Sequence, residues 1–173
     1  MKIDCVKVGR LRCNCYILEC EGQVLVIDPG DEFDKIEKVI GSKKVVGVII
    51  THHHNDHDGA VEEVVNRYRC KVYDRYNLID GINDIDNFRF EVIYTPGHKE
   101  DLISIYFKKE KVMFVGDFIF YETIGRTDLT GGDEEEMAYS LMSLRKMDEA
   151  IKLYPGHGQL TTLSHELKYN PYL

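Results

Sequence analysis

The sequence predicts an α+β fold, and three observations carry that expectation. Residues 2–28 read as three short strands joined by tight turns, an antiparallel meander. An apolar run at 45–50 leads into a segment with helical spacing, so buried strands and helices share the chain. One local pattern then recurs four times: a buried strand, a sharp turn, and a side chain able to bind a metal. It appears at His52/His54/Asp56/His57, at His98, at Asp117 and at His157. No repeat or linker separates these units, so residues 1–173 are expected to form one domain whose strand ends meet.

In chain order, the meander comprises strands at 2–8, 14–19 and 24–27, broken at Gly9 and at Glu21-Gly22. Asp28-Pro29-Gly30 ends it. Phe33, Ile36, Val39 and Ile40 mark one face of a short helix stopped by Gly41. The run at 45–50 is continuous and β-branched, as in a strand buried on both faces. Residues 60–68 are apolar at helical intervals, with Asp58 as the expected N-cap. A short strand is expected at 71–73, and 74–87 is polar and irregular. Strands follow at 88–94, 102–107 and 112–115. A helix at 134–147 carries Met137, Leu141, Leu144 and Met147 on one stripe. A strand at 150–154 and a helix capped by Thr161 or Thr162 close the chain.

At 43% hydrophobic and 30% charged, the 173 residues suit a soluble globular domain with a real core. A net charge of -8 argues against binding nucleic acid through its phosphates, which takes a basic face. No stretch approaches the ~20 apolar residues of a membrane span, and the N-terminus lacks an export signal, so a cytoplasmic location without membrane association is expected. The five cysteines are odd in number and bunched near the N-terminus, which suits reduced thiols. Alternation along one strand puts Cys13 and Cys15 on one face as packing rather than as a metal pair.

The pattern T-H-x-H-x-D-H at 51–57 concentrates four of the seven histidines in six positions beside Asp56 and Asp58. Imidazoles and carboxylates at such density suit a metal of intermediate hardness at a strand-to-helix turn. His52, His54, His57, His98 and His157 with Asp56 and Asp117 give seven donors. One tetrahedral ion takes four at most, so the count suits two divalent ions sharing a carboxylate. Zinc is favoured, with iron and manganese open. His53 is expected to face away or support the turn, and His165 to lie on the surface.

Together T-H-x-H-x-D-H, the Thr95-Pro96-Gly97-His98 turn, Gly116-Asp117 followed by an aromatic residue, and Pro155-Gly156-His157-Gly158 resemble the metallo-β-lactamase-fold hydrolases. Within them, Asn14-Cys15-Tyr16, Asp28-Pro29-Gly30, residues 124–129 and Asn170-Pro171 are similar to the small bacterial glyoxalase II-like branch, the hydroxyacylglutathione hydrolase-like thioesterases. The resemblance implies an αββα sandwich, two mixed sheets with helices on the outer faces. It puts His52, His54 and His98 on one ion and Asp56, His57 and His157 on the other, with Asp117 bridging. Asp117 stands where β-lactamases of this fold carry a cysteine, which favours the dinuclear hydrolases over antibiotic hydrolysis. Lys99-Glu100-Asp101 departs from the usual Thr-x-Gly after the histidine. Larger glyoxalase II enzymes add a C-terminal helical domain for glutathione, which this chain is expected to lack.

The implied reaction is attack on an acyl carbonyl by a hydroxide held between two ions, with Asp56 orienting it. A thiolate leaving group, of pKa near ~8.5, needs no strong general acid, so a small-molecule thioester such as S-lactoylglutathione fits. A lactone or phosphoester stays open, as does a mononuclear iron persulfide dioxygenase. Tyr121, Arg126 and Thr127 follow the Asp117 strand and are expected to line the substrate pocket; Arg126 either pairs a substrate carboxylate or holds its own loop through Asp128 or Asp133.

Overall fold

The computed structural model describes all 173 residues. Strands β1 (Lys2–Val8), β2 (Cys13–Cys20) and β3 (Gln23–Ile27) form the expected antiparallel meander. Helix α1 (Phe33–Ile40) carries the chain across to β4 (Lys44–Ile49), parallel to β3. A single turn of helix, α2 (Asn55–Asp58), precedes α3 (Val61–Tyr68), and β5 (Lys71–Tyr73) completes a five-stranded mixed sheet in the order β1-β2-β3-β4-β5.

The second sheet starts with β6 (Gly81–Ile85), β7 (Phe88–Tyr94), β8 (Ile103–Phe107) and β9 (Val112–Gly116), all antiparallel neighbours. A two-stranded hairpin, β10 (Ile119–Phe120) and β11 (Thr123–Ile124), leads to α4 (Glu134–Leu144). Then β12 (Lys152–Pro155) adds parallel to β9, β13 (Thr161–Thr162) pairs with it, and α5 (Leu163–Tyr169) closes the chain.

Alternation along the strands builds the layers. Tyr16, Leu25, Ile27 and Ile49 of the first sheet meet Phe90, Ile105 and Phe114 of the second between the sheets. The opposite face of the first sheet, Cys13, Cys15, Ile17, Val24 and Val26, packs on Ile36, Ile40 and Val64 of α1 and α3. Met113, Val115 and Leu153 of the second sheet pack on Met137, Leu141, Leu144 and Leu163 of α4 and α5. The result is the αββα sandwich. It explains why β4 reads as an unbroken apolar run, since it has packing on both sides. No helix is long and apolar enough to cross a membrane.

Four details correct the sequence reading. Asp58 does not cap the helix at 61–68: it ends α2, and its carboxylate meets the His53 ring at 3.1 Å while Ala60 occupies the cap position. The polar stretch at 74–87 contains β6, an edge strand held by backbone pairing to β7. The hairpin β10–β11 was not expected, being too short to show a period. The strand expected from 150 starts at Lys152. The helix cap at Thr162 is as expected, its hydroxyl accepting from the His165 amide at 3.2 Å.

Because β3, β4, β7, β9 and β12 run in compatible directions, their carboxyl ends fall on one edge of the sandwich, where the turns at 28–31, 51–58, 95–98, 117 and 155–158 gather.

Candidate metal centre

The seven donors named from sequence converge at this edge in two groups. His52 Nε2 and His54 Nδ1 are 3.0 Å apart, and His98 Nε2 is 3.1 Å from the same His54 nitrogen. On the other side, His157 Nε2 is 3.1 Å from Asp56 Oδ2, and His57 Nε2 is 3.8 Å from that oxygen. Asp117 lies between the groups. Its Oδ2 is 3.6 Å from both His98 Nε2 and His157 Nε2, and its Oδ1 is 3.3 Å from His57 Nε2. Donors on one tetrahedral ion at ~2.05 Å stand about 3.3 Å apart, so both groups have the spacing of ligand sets.

Two buried atoms test whether the residues fit metal ions. His57 Nε2 and Asp117 Oδ1 have no hydrogen-bond partner, although native structures leave few buried polar atoms unsatisfied. They face each other beside the remaining donors, where a cation would satisfy both. Nothing larger than hydrogen fits behind them, because a Cβ on Gly156 would overlap Asp117 Oδ1 and crowd the His57 ring. The donor set fits.

The rings are fixed from behind. His57 Nδ1 is 2.9 Å from Asp28 Oδ2, His98 Nδ1 is 2.7 Å from the Arg126 carbonyl, and His157 Nδ1 is 3.1 Å from the Leu11 carbonyl. With Nδ1–H donating in each case, the Nε2 lone pair faces the centre. His52 is set through a relay: the Thr51 hydroxyl donates to Asp28 Oδ2 at 2.7 Å and so accepts from His52 Nδ1 at 3.1 Å. Asp28 also accepts from the Thr51 amide at 2.7 Å. This buried carboxylate thus orients two rings and the turn between them, a role the sequence reading did not assign. Its context, a carboxylate after a buried strand in Asp28-Pro29-Gly30, is the same local pattern as at the other turns. Gly30 is needed there because a Cβ would overlap the Asp56 carbonyl.

Electrostatics follow from crowding. Burial, reinforced by the neighbouring His57, His98 and His54 rings, pushes His52 well below the usual histidine range and keeps it neutral. Burial likewise leads in lowering His54, helped by His98 and Lys99. For His57 burial opposes charge, but Asp28 and the facing Asp117 outweigh it and raise the ring well above normal. For Asp117 burial opposes ionisation, and His57 overrides it and lowers the carboxyl. The hydrogen bond from His157 brings Asp56 down to about 2, so it is an acceptor throughout the neutral range.

The donors open onto a cavity of about 620 Å³ whose wall includes Leu11, Phe120, Ile124, Leu129 and Arg126. Of the three substrate contacts expected from sequence, Arg126 is on this wall. Tyr121 is not: its ring stacks on His165 at 4.7 Å in a separate groove with Lys152 and Tyr154. Thr127 lines a groove against Met137 and Leu141 of α4. Their neighbours Phe120 and Arg126 take the positions that face the cavity. Arg126 is tied to Asp128 by two bonds of 2.9 Å. His53 supports the turn between Asp58 at 3.1 Å and Asp74 at 3.4 Å. Asp101, from the divergent Lys99-Glu100-Asp101 segment, is buried and accepts from the His53 amide at 3.1 Å, joining the His98 loop to the histidine turn. Cys13 is packed in the core with its Sγ 3.7 Å from His57 Nδ1.

A family model described as the metallo-beta-lactamase superfamily matches residues 8–80 and 74–157. The chain is 31% identical to the probable metallo-hydrolase YqgX of Bacillus subtilis over 100% of its length and 98% of the relative's. It is 29% identical to the hydroxyacylglutathione hydrolase GloC of Haemophilus influenzae, with the same coverage of 100% and 98%. Among solved structures, BLEG-1 B3 metallo-beta-lactamase superposes with a TM-score of 0.95 at 28% identity over 99% of both chains. TTHA1623, in a di-iron-bound form, gives 0.90 at 28% over 98% of this chain and 100% of that one. ETHE1 from Myxococcus xanthus gives 0.91 at 25% over 99% and 84%. With a family model covering most of its length and a relative of 31% identity spanning it end to end, the chain belongs to the metallo-beta-lactamase superfamily.

Proposed function

We propose that this protein is a dinuclear metal-dependent hydrolase of a small-molecule thioester, with S-lactoylglutathione as the first candidate. The observation that carries the reading is Asp117, whose two oxygens face donors of both groups, His98 on one side and His57 and His157 on the other. The superfamily is generally hydrolytic and metal-dependent, and a relative named hydroxyacylglutathione hydrolase matches the chain over its full length.

In this reading His52, His54 and His98 hold one ion and Asp56, His57 and His157 the other, with Asp117 shared. When bound, the ions, with zinc favoured, lower the pKa of water toward ~7 and polarise the acyl carbonyl. Asp56, ionised at neutral pH and on the cavity wall, would orient the attacking water by accepting a hydrogen bond from it. Leu11, Phe120, Ile124 and Leu129 give the acyl group an apolar wall that limits competing water. No strong acid stands over the leaving group, which a thiolate does not require. Arg126 meets a substrate carboxylate only by giving up its bond to Asp128.

Elemental analysis of the protein as purified, paired with hydrolysis of S-lactoylglutathione, tests the proposal. About two ions per chain are expected, and Asp56→Ala is expected to lower turnover by about 10²-fold or more. A second reading, a mononuclear iron persulfide dioxygenase, draws support from the likeness to ETHE1 from Myxococcus xanthus. One iron per chain, no hydrolysis, and oxygen uptake on glutathione persulfide would establish that alternative instead.

A further inference from the structure

His157 sits on the five-residue connection 156–160 between β12 and β13, and its side chain is 23% exposed. That turn is bonded chiefly by the opposite sheet. Asn14, 1% exposed at the start of β2, donates its amide hydrogens to the carbonyls of Pro155 at 2.8 Å and Gly158 at 3.3 Å. Its backbone N–H donates to the carbonyl of Gly156 at 2.7 Å. One residue therefore takes three carbonyls of the Pro155-Gly156-His157-Gly158 turn, on both sides of the histidine. Lys7 donates to the Gly158 carbonyl from β1, and the Leu11 carbonyl receives the His157 Nδ1–H.

We propose that Asn14 is a positioning residue of the metal centre, fixing the His157 imidazole for the second ion by bonding the carbonyls around it. The inference rests on the two-ion reading above. Asn14 touches neither an expected ion nor the cavity, so its effect passes through the turn that carries His157, whose Gly156 also backs Asp117 and His57, another candidate for the same ion. An isolated imidazole on a free turn would have to be ordered when the ion binds; here the ordering is done by the fold, and outer contacts of this kind are worth about 10–100-fold in metal affinity. A residue that only holds the sandwich together would weaken both ions alike.

The test is titration of zinc into the metal-stripped full-length chain, in competition with a chromophoric chelator. Asn14→Leu, neutral and similar in size, is compared with His157→Ala and with the double variant. Asn14→Leu should weaken one of two equivalents by about 10–100-fold, the same one that His157→Ala weakens, and should add nothing in the His157→Ala background. Lys7→Met, at the surface, should weaken that equivalent to a smaller degree. Removal of a positive charge would by itself strengthen cation binding, so a loss reports the turn. If Asn14→Leu does not fold, Asn14→Asp, of the same shape but without the two amide hydrogens, replaces it and should weaken the same equivalent, although its added negative charge would by itself strengthen cation binding. Equal loss of both equivalents, no loss, or additivity with His157→Ala overturns the inference while leaving the two-ion reading intact. A wild-type chain that binds a single equivalent overturns both.

Discussion

Asp28 is the residue whose importance is least visible in the sequence and most evident in the structure. It accepts from His57, from the Thr51 hydroxyl and from the Thr51 amide, and so decides which nitrogen of His57 is free. Asp28→Asn offers an N–H where His57 now finds an acceptor, which favours the opposite tautomer and puts a proton on Nε2. The expected outcome is a loss of about 10–100-fold in affinity for one ion, read by metal titration, with far-UV circular dichroism unchanged. Unaltered affinity would show that the ring does not take its orientation from Asp28. The donors themselves were legible from sequence because histidine and aspartate at fixed offsets after buried strands have few other uses. Asp28 and Asn14 stood in motifs that carry the family resemblance, Asp28-Pro29-Gly30 and Asn14-Cys15-Tyr16, but their roles were not legible, because each looks like an ordinary turn or strand residue. Their partners lie 23 to 29 positions away for Asp28, and 141 to 144 away for Asn14. No local spacing encodes those pairs.

At the scale of elements, α4 illustrates how a helix outside the centre holds a ligand inside it. Its buried stripe of Met137, Leu141 and Leu144 was readable from periodicity, while its contact with the His98 turn was not. Ser140 donates to the Pro96 carbonyl at 2.8 Å, and the Asp133 amide donates to the Gly97 carbonyl at 2.8 Å. Gly97 has φ 135°, and a Cβ there would press on the backbone of Met137. Ser140→Ala leaves a buried carbonyl without this donor and should cost about 1–3 kcal/mol in urea unfolding. A change below a few tenths would mean that water replaces the hydroxyl. The elements that escaped the sequence reading share a cause. The strand β6 is an edge strand held by main-chain bonds, with only Ile85 fully buried, so its side chains carry no clear alternation. The one-turn helix α2 contains two of the expected ligands, Asp56 and His57, whose side-chain chemistry hides their backbone preference.

For the whole molecule, both donor groups draw on both sheets: His52, His54, Asp56 and His57 follow β4, whereas His98, Asp117 and His157 follow strands of the second sheet. Ions bound there would cross-link the sandwich, and binding that favours the folded state adds stability. Metal-stripped protein should therefore melt lower than protein given free zinc at ~100 times its Kd, by about 5–10 °C in calorimetry. Equal melting temperatures would mean that zinc does not favour the folded state, and would overturn the cross-link. The sandwich was expected from the resemblance and from four recurring strand–turn units, and the pairing of its layers follows from which strand faces are apolar. The same architecture fixes an order of events during synthesis. His52, His54 and His98 are available once the first hundred residues have emerged, but the turn bearing His157 needs a partner strand made at the very beginning, 141 positions earlier. The N-terminal meander must wait for that turn, and so a ribosome-bound or C-terminally clipped product without residues 155–158 would carry six of the seven donors and lack His157.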